Sequence, residues 1–166
     1  MADYHLRRAD RAITDEAELK GLLKTGIYAT IAMAKGDEPY LVALNYGYDE
    51  SGGCLYFHCA PVGQKLDFLA ANSRVCATII EDKGYLPGEC EHLFSSLVLR
   101  GEMRLVEELA EKKHGLEILL HHLEKDPDPI RARNIENDES YKKVGILRMD
   151  IGQMTGKKFV HPAPSD

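Results

Sequence analysis

Apolar residues alternate with polar ones along much of the chain, in short runs separated by turn residues. Such alternation is typical of β-strands with one buried face. It predicts six strands, over residues 27–34, 40–48, 54–59, 74–81, 95–106 and 144–151. Gly101 interrupts the fifth run and predicts a bend or bulge. Residues 82–92, which hold two glycines and a proline, are predicted to form a loop, and residues 152–166 a polar tail.

Four other segments favour helices. The first begins with a cap at Thr14 or Asp15 and ends at Gly26. The others cover residues 66–71, 107–125 and 130–143, of which 107–125 has the broadest leucine side. Because the strands follow one another mostly as hairpins, with helices inserted between them, the order argues against a doubly wound parallel sheet. It predicts a mainly β protein, a six-stranded antiparallel barrel with peripheral helices, since closure leaves no exposed edge.

Composition restricts the classes of partner. The 166 residues, 44% hydrophobic and 29% charged, are enough for one domain with its own core, which we place at residues 1–152. A formal net charge of -6 and a pI near 5.6 argue against nucleic acid or an anionic membrane as partner. No apolar run approaches the roughly 20 residues that span a bilayer, and the start of the chain lacks a signal-peptide core. We therefore expect a cytoplasmic protein.

The turn after the third predicted strand has the pattern of an anion site. That strand ends in His58 and Cys59, and Gly63, Gln64 and Lys65 lead directly into the next helix. Backbone N–H groups at a helix start, together with a lysine, attract phosphate. The alternative is a solvated Lys65 that binds nothing.

Histidines are the other candidates for chemistry. His58 can donate a proton near neutral pH, or it can serve only as a strand-end hydrogen-bonding group. His114 and His121 would lie about 10 Å apart along a helix, too far for one ion. His121 and His122 point in different directions. We therefore expect surface histidines on this helix and no metal site.

Five segments, in order along nearly the whole chain, carry a family resemblance. They are Arg-Arg-Ala-Asp-Arg and Ile-Thr-Asp within residues 7–15, Pro-Tyr-Leu-Val-Ala-Leu-Asn-Tyr-Gly-Tyr at 39–48, Leu-Tyr-Phe-His-Cys-Ala with Gly and Lys at 55–65, Asn-Ser-Arg-Val at 72–75 and Thr-Gly-Lys at 155–157. The chain resembles the flavin-binding split-barrel superfamily of pyridoxamine 5'-phosphate oxidase, most closely its nitroimidazole-resistance branch.

The resemblance implies a split β-barrel that forms a homodimer with FMN, or in some members FAD, in a groove between the two barrels. It also implies the cofactor contacts. The strand residues that would run along the isoalloxazine and ribityl chain are Leu41, Val42, Ala43, Leu44, Asn45 and Tyr46. His58 and Cys59 would lie near the cofactor, with His58 catalytic. Gly63, Gln64 and Lys65 would hold the phosphate, and Ser96 would contribute from the fifth predicted strand.

Two departures from the family narrow the function. Many oxidases of the superfamily carry Arg-Lys where this chain has Gln64-Lys65, which predicts weaker phosphate binding. The tail at residues 157–161 does not reproduce the basic motif of the true oxidases, so we do not expect vitamin B6 oxidation.

The leading hypothesis is a flavin-dependent oxidoreductase that reduces a small flat acceptor, such as a nitroaromatic or quinone. Without a Gly-x-Gly-x-x-Gly fingerprint, a nicotinamide nucleotide would be a transient electron donor. The alternative is a non-catalytic protein that binds flavin, deazaflavin or haem on the same fold.

Overall fold

The computed structural model describes residues 7–160. The first and last six residues, which include His161 and the end of the predicted tail, lie outside the described part. The strands are β1 (Ala12–Ile13), β2 (Tyr28–Lys35), β3 (Glu38–Asp49), β4 (Cys54–Cys59), β5 (Arg74–Leu86), β6 (Glu91–Leu105) and β7 (Gly145–Phe159). The helices are α1 (Glu16–Thr25), α2 (Gln64–Ala71), α3 (Leu109–Leu123), α4 (Asp128–Asn134) and α5 (Asp138–Lys142), and a 3₁₀ turn covers Ala9–Arg11.

The strands form one antiparallel sheet that closes on itself. Its order is β1-β7-β4-β3-β2-β5-β6, and β6 also pairs with β7, so six strands make a ring and β1 is added to the outside of β7. This confirms the predicted six-stranded antiparallel barrel with peripheral helices. The register of β6 against β7 shifts between Arg100 and Gly101, where the sequence predicted a bulge.

Three strand predictions were wrong. β7 continues to Phe159, because residues 151–159 pair with β6 across the bulge instead of forming a polar tail. β5 and β6 extend toward each other through most of the predicted loop at residues 82–92, with Tyr85 opposite His92. The sequence analysis also missed the two-residue strand β1, which is too short to show a period. In each case a neighbouring strand supplies the backbone hydrogen-bond partners that hold the segment extended.

Alternation along β4 separates two apolar layers. Leu55, Phe57 and Cys59 point into the barrel core, whereas Cys54 and Tyr56 point outward into a second cluster beneath α3. The two cysteines thus face opposite sides, because an odd number of positions separates them on one strand. The barrel is therefore covered on this side by α3.

Two glycines allow α3 to lie close to the barrel. A Cβ on Gly47 of β3 would stand 2.8 Å from the backbone of Ile118, and a Cβ on Gly115 of α3 would stand 2.6 Å from the ring of Tyr56. Real Cβ atoms do not approach other atoms so closely. The helix therefore packs against β3 and β4 only because both positions lack a side chain.

Polar contacts fix the orientation of α3. The Tyr48 backbone N–H donates to Nδ1 of His122 at 3.4 Å, so the proton lies on Nε2, which donates to the Gly26 carbonyl at 2.6 Å. His114 hydrogen-bonds the buried carboxylate of Asp49 at 2.7 Å. The expectation of a surface histidine was thus wrong for His122, which ties the helix to β3 and to the loop before β2.

Candidate functional site

The barrel is split between β3 and β4. Residues Tyr46 to Asp49 of β3 pair with β4. Toward the start of β3, before Tyr46, the two strands separate, while β4 stays paired with β7 as far as Cys59. Residues 41–45 of β3 pair with β2 on one side. On the other side no strand of the described chain pairs with them, so alternate backbone N–H and C=O groups are available to a ligand.

A cavity of about 330 Å³ lies along this open edge. From the strands it is lined by Ala43, Leu44, Asn45 and His58, and from α3 by Leu116, Leu119, Leu120, Leu123 and Glu124. Its volume is within the range of small-molecule sites, about 300–1,000 Å³. The structure therefore brings together four of the residues that the sequence analysis named and adds the leucine side of α3, which that analysis treated only as packing.

Along β3 the predicted cofactor residues divide between two faces. Leu41, Ala43 and Asn45 point outward, and Leu41 is 64% exposed. Val42 and Leu44 are half-buried against the barrel core. Any contact by Val42 with a ligand at the open edge would therefore come from its backbone.

Tyr46 is a core residue. Its ring is fully buried, and its hydroxyl donates to the Leu23 carbonyl at 2.8 Å. Burial raises its pKa above the ordinary value of 10.0. The Asn45 amide is also occupied, because Nδ2 donates to the Ile27 carbonyl at 2.9 Å. A cofactor contact by the Tyr46 side chain is thus incompatible with its position, while Asn45 is exposed and lines the cavity.

His58 stands at the open end of the cavity. It is exposed, and its ring forms no hydrogen bond or ion pair with any other residue in the described range. His58 is therefore not the strand-end histidine hydrogen-bonded to the backbone that was the alternative to a catalytic role. An imidazole in this position can donate a proton to a bound molecule.

Cys59 points the opposite way, into the barrel. Burial raises its pKa above the ordinary 9.0, and the positive charge of Lys65 acts against that rise. A protonated thiol on the core side is unsuited to nucleophilic chemistry.

The turn after β4 has the geometry of an anion site. Gly63 caps α2 with a φ of 132°, a conformation that is essentially restricted to glycine. Because glycine has no side chain to cap the helix, the N–H groups of Gln64 and Lys65 are open to a ligand. The Lys65 side chain is half-buried at the same point.

Within one chain, Ser96 lies away from the cavity and from the turn at Gly63. It lies on β6, and its hydroxyl is 3.4 Å from the Lys157 carbonyl. β2 and β5 separate it from β3, a distance of roughly 14 Å at the usual strand spacing. One barrel alone therefore does not bring Ser96 to the open edge of β3.

No group of three or more His, Cys, Asp or Glu side chains placed for a metal ion occurs within residues 7–160. Over the same range, every helix is too short or too polar to cross a bilayer.

Comparison with known proteins agrees with this architecture. The pyridoxamine 5'-phosphate oxidase family matches residues 15–158. An uncharacterized protein of Rhizobium meliloti (strain 1021) is 33% identical over 69 residues, which cover 42% of this chain and 44% of that protein. The match thus spans less than half the length of that relative.

Solved structures share the fold over most of the chain. A putative 5-nitroimidazole antibiotic resistance protein from Bacteroides thetaiotaomicron VPI-5482 has a TM-score of 0.76 at 24% identity, covering 95% of this chain and 96% of that one. The flavocytochrome Anf3 from Azotobacter vinelandii has a TM-score of 0.81 at 17% identity, with 98% and 76% covered. The FAD and heme binding protein from Mycobacterium smegmatis has a TM-score of 0.72 at 19% identity, with 94% and 76% covered. At these identities the likeness establishes a shared fold.

Proposed function

The chain belongs to the pyridoxamine 5'-phosphate oxidase family, as its sequence resemblance indicated, and on that premise we propose that it is an FMN-dependent oxidoreductase. The observation that carries the proposal is the split between β3 and β4, which leaves an open strand edge beside a cavity and a helix start. A flavin matches this arrangement in its parts. The edge would offer donors and acceptors to the isoalloxazine heteroatoms, the cavity would hold the ring, and the turn would hold the phosphate.

The phosphate assignment rests on Gly63, Gln64 and Lys65. Open backbone N–H groups and one ammonium group favour an oxyanion at the start of α2. In this acidic protein a localised positive site is needed to hold a phosphate. Because Gln64 supplies no charge, FMN binding depends mainly on Lys65 and the backbone, and a moderate affinity is expected.

When bound, a flavin would supply the chemistry for moving two electrons from a nicotinamide nucleotide to a flat acceptor such as a quinone or a nitroaromatic. In that exchange the nicotinamide is oxidised, and the acceptor is reduced and takes up protons. His58, exposed beside the cavity, delivers one of these protons. The leucines of α3 exclude water from the acceptor.

Vitamin B6 oxidation is not part of the proposal. Lys157 lies 5.7 Å from the centre of the Phe94 ring, and Lys158 pairs with Glu18 of α1 at 2.8 Å. Lys157 thus contacts the neighbouring strand β6, and Lys158 ties β7 to α1. This supports the view that the end of the chain does not act as a basic substrate-binding motif.

We further propose that the site is completed in a homodimer. Outward-facing apolar side chains cluster on adjacent strands β2, β3 and β5 and in the segment before β2, namely Ile27, Tyr28, Leu41 and Ile80, each more than half exposed. An apolar patch of this kind is typical of a protein interface. Ser96 lies on the same outer face, so a second barrel packed there would carry its own Ser96 toward the first chain's open edge.

The decisive experiment measures how much the phosphate contributes to flavin binding, separately from the ring. We expect the purified protein to release FMN on denaturation. We expect Lys65→Ala to weaken FMN binding about 10- to 100-fold, as the loss of a charge-assisted hydrogen bond would, with little effect on riboflavin, which has no phosphate. Gln64→Arg should strengthen FMN binding about tenfold. Lys24→Ala is the matched control. It also removes one lysine, but Lys24 lies on α1, where it pairs with Glu50 at 2.7 Å.

Several results would contradict the proposal. Equal losses for FMN and riboflavin in Lys65→Ala would place the phosphate elsewhere. A haem or deazaflavin spectrum in place of a flavin spectrum would make the protein a binder of that pigment. Flavin-loaded protein that fails to oxidise NADH or NADPH with any quinone or nitroaromatic would leave a non-catalytic flavoprotein.

A further inference from the structure

A second cavity continues from the first on the far side of His58. It has a volume of about 600 Å³ and shares His58, Leu116 and Leu120 with the cavity along β3. Its remaining walls come from α4, the segment between α4 and α5, Ser140 of α5, and the residues just before β7. A molecule at His58 can therefore extend in two directions, along β3 or beneath α4.

The wall of this second cavity is chemically divided. One part is apolar and consists of the two shared leucines with Ile130, Ile135 and Val144. The other part is polar and consists of Arg133, Asn134, Glu136, Ser140 and Lys143. Such a division suits an amphipathic molecule with an apolar body and one charged end.

The two cations of this wall are not used by the fold. Within the described residues, neither Arg133 nor Lys143 forms an ion pair or a side-chain hydrogen bond. Their neighbours in sequence do. Arg131 binds Glu117 with two hydrogen bonds, and Lys142 pairs with Glu139 at 2.6 Å. The charges that stabilise α4 and α5 are thus distinct from the charges that face the cavity.

We propose that this second cavity binds the carboxylate of an amphipathic acceptor whose flat body lies at His58. The inference rests on the proposed function, because it assigns the chemical class of the substrate of that same site. Arg133 and Lys143 would hold the carboxylate, and the Ser140 hydroxyl, which itself accepts from the Glu136 backbone N–H at 3.3 Å, would donate a hydrogen bond to it.

The balance of charge favours a monoanion. Arg133 and Lys143 contribute two positive charges and Glu136 one negative charge, so the wall carries one net positive charge. A single carboxylate neutralises it, whereas a phosphate monoester would bring excess negative charge close to Glu136. The site therefore differs in preference from the start of α2, where backbone N–H groups and Lys65 face a phosphate.

A matched pair of probes tests this directly. The dissociation constants of 3-phenylpropionate and its uncharged analogue 3-phenylpropanamide are measured by ligand-observed NMR titration of the full chain. We expect the carboxylate to bind about tenfold more tightly than the amide. The double variant Arg133→Gln/Lys143→Gln should bring the two constants together.

Two further variants control for charge and folding. Glu136→Gln, which removes the like charge, should increase the preference for the carboxylate about two- to threefold. Lys142→Gln, one position from Lys143 but outside the cavity, should keep the preference of the unchanged protein. Equal affinities for acid and amide in the unchanged protein, or an undiminished preference in the double variant, would overturn the proposal.

The titration needs neither flavin nor turnover, so its outcome is independent of the flavin experiments. Carboxylate preference without flavin binding would retain the site and reject the oxidoreductase. In flavin-loaded protein, a carboxylate-bearing nitroaromatic should exceed its amide in kcat/KM by a similar factor. Turnover with equal kcat/KM for acid and amide would retain the oxidoreductase and reject the carboxylate site as part of it.

Discussion

Replacing Gly47 by alanine should displace α3 from the barrel. The added Cβ would lie 2.8 Å from the backbone C and O atoms of Ile118 and from the Cα of Leu119. These are backbone atoms, so no rotamer change can relieve the clash. The helix must move outward by roughly 0.6–0.8 Å to restore ordinary contact at about 3.5 Å. That movement also strains the hydrogen bond of His122 to the Gly26 carbonyl.

The expected cost is that of overpacking a close-packed region, about 1–3 kcal/mol. For a chain of this size that corresponds to a fall in Tm of roughly 2–12 °C. Gly21→Ala is a control of opposite sign. Gly21 lies inside α1 with no atom within 4 Å of its potential Cβ, and alanine is the better helix former there by about 0.5–1 kcal/mol.

Thermal and urea unfolding followed by circular dichroism measure both variants. We expect the Tm of Gly47→Ala to fall and the Tm of Gly21→Ala to rise slightly. Because α3 carries the leucines of the cavity, the displaced helix should also weaken riboflavin binding, which does not depend on the phosphate site. If Gly47→Ala were as stable as Gly21→Ala, the close approach of α3 to β3 would be wrong, and with it the enclosed cavity.

Two further predictions concern histidine contacts of α3. His122→Ala should lower the free energy of unfolding by about 2 kcal/mol, because it leaves two backbone groups without partners. His121→Ala removes an exposed side chain and should change the free energy of unfolding by less than about 0.5 kcal/mol. Comparable losses for the two variants in urea denaturation would contradict the role of His122 in holding α3 against the barrel. Burial alone would raise the pKa of Asp49, but hydrogen bonds, chiefly from His114, lower it from 3.8 to about 2, so the stability it contributes is complete above pH 3.8 and is lost as the pH falls toward 2. Asp49→Asn should therefore remove roughly 2 kcal/mol of acid-dependent stability in denaturation between about pH 2 and pH 5, and an unchanged pH profile would contradict this.

Local pattern was a reliable guide where the relevant physics is local. The bounds of β4 follow from a six-residue run centred on Tyr56 and Phe57, which lies between a glycine turn and a proline. At Gly101 the bulge brings the Asp150 carbonyl too close for any side chain, and at Gly63 the helix start uses the backbone freedom of glycine. The same signals placed His58 and Lys65 near each other, since only a short turn separates them in the chain.

Local pattern failed where a distant partner decides. Tyr46 and Asn45 are neighbours on one strand, yet one is a core residue bonded to α1 and the other lies at the cavity. Nothing in the sequence distinguishes His122 from His121, because their roles depend on the carbonyl and N–H groups that α3 happens to meet. The extension of β7 to Phe159 likewise depends on its pairing with β6.

The sequence by itself determined the family, the order of the six barrel strands, and the glycine turn at which α2 begins, because alternation and glycine positions act over a few residues. Only the tertiary structure decided that β3 and β4 separate at Tyr46, that α3 closes over the gap, and that Arg133 and Lys143 face a cavity beside His58. These features arise from contacts between segments far apart in the chain. Their geometry is set by how closely backbones can approach, and a one-dimensional pattern does not record that distance.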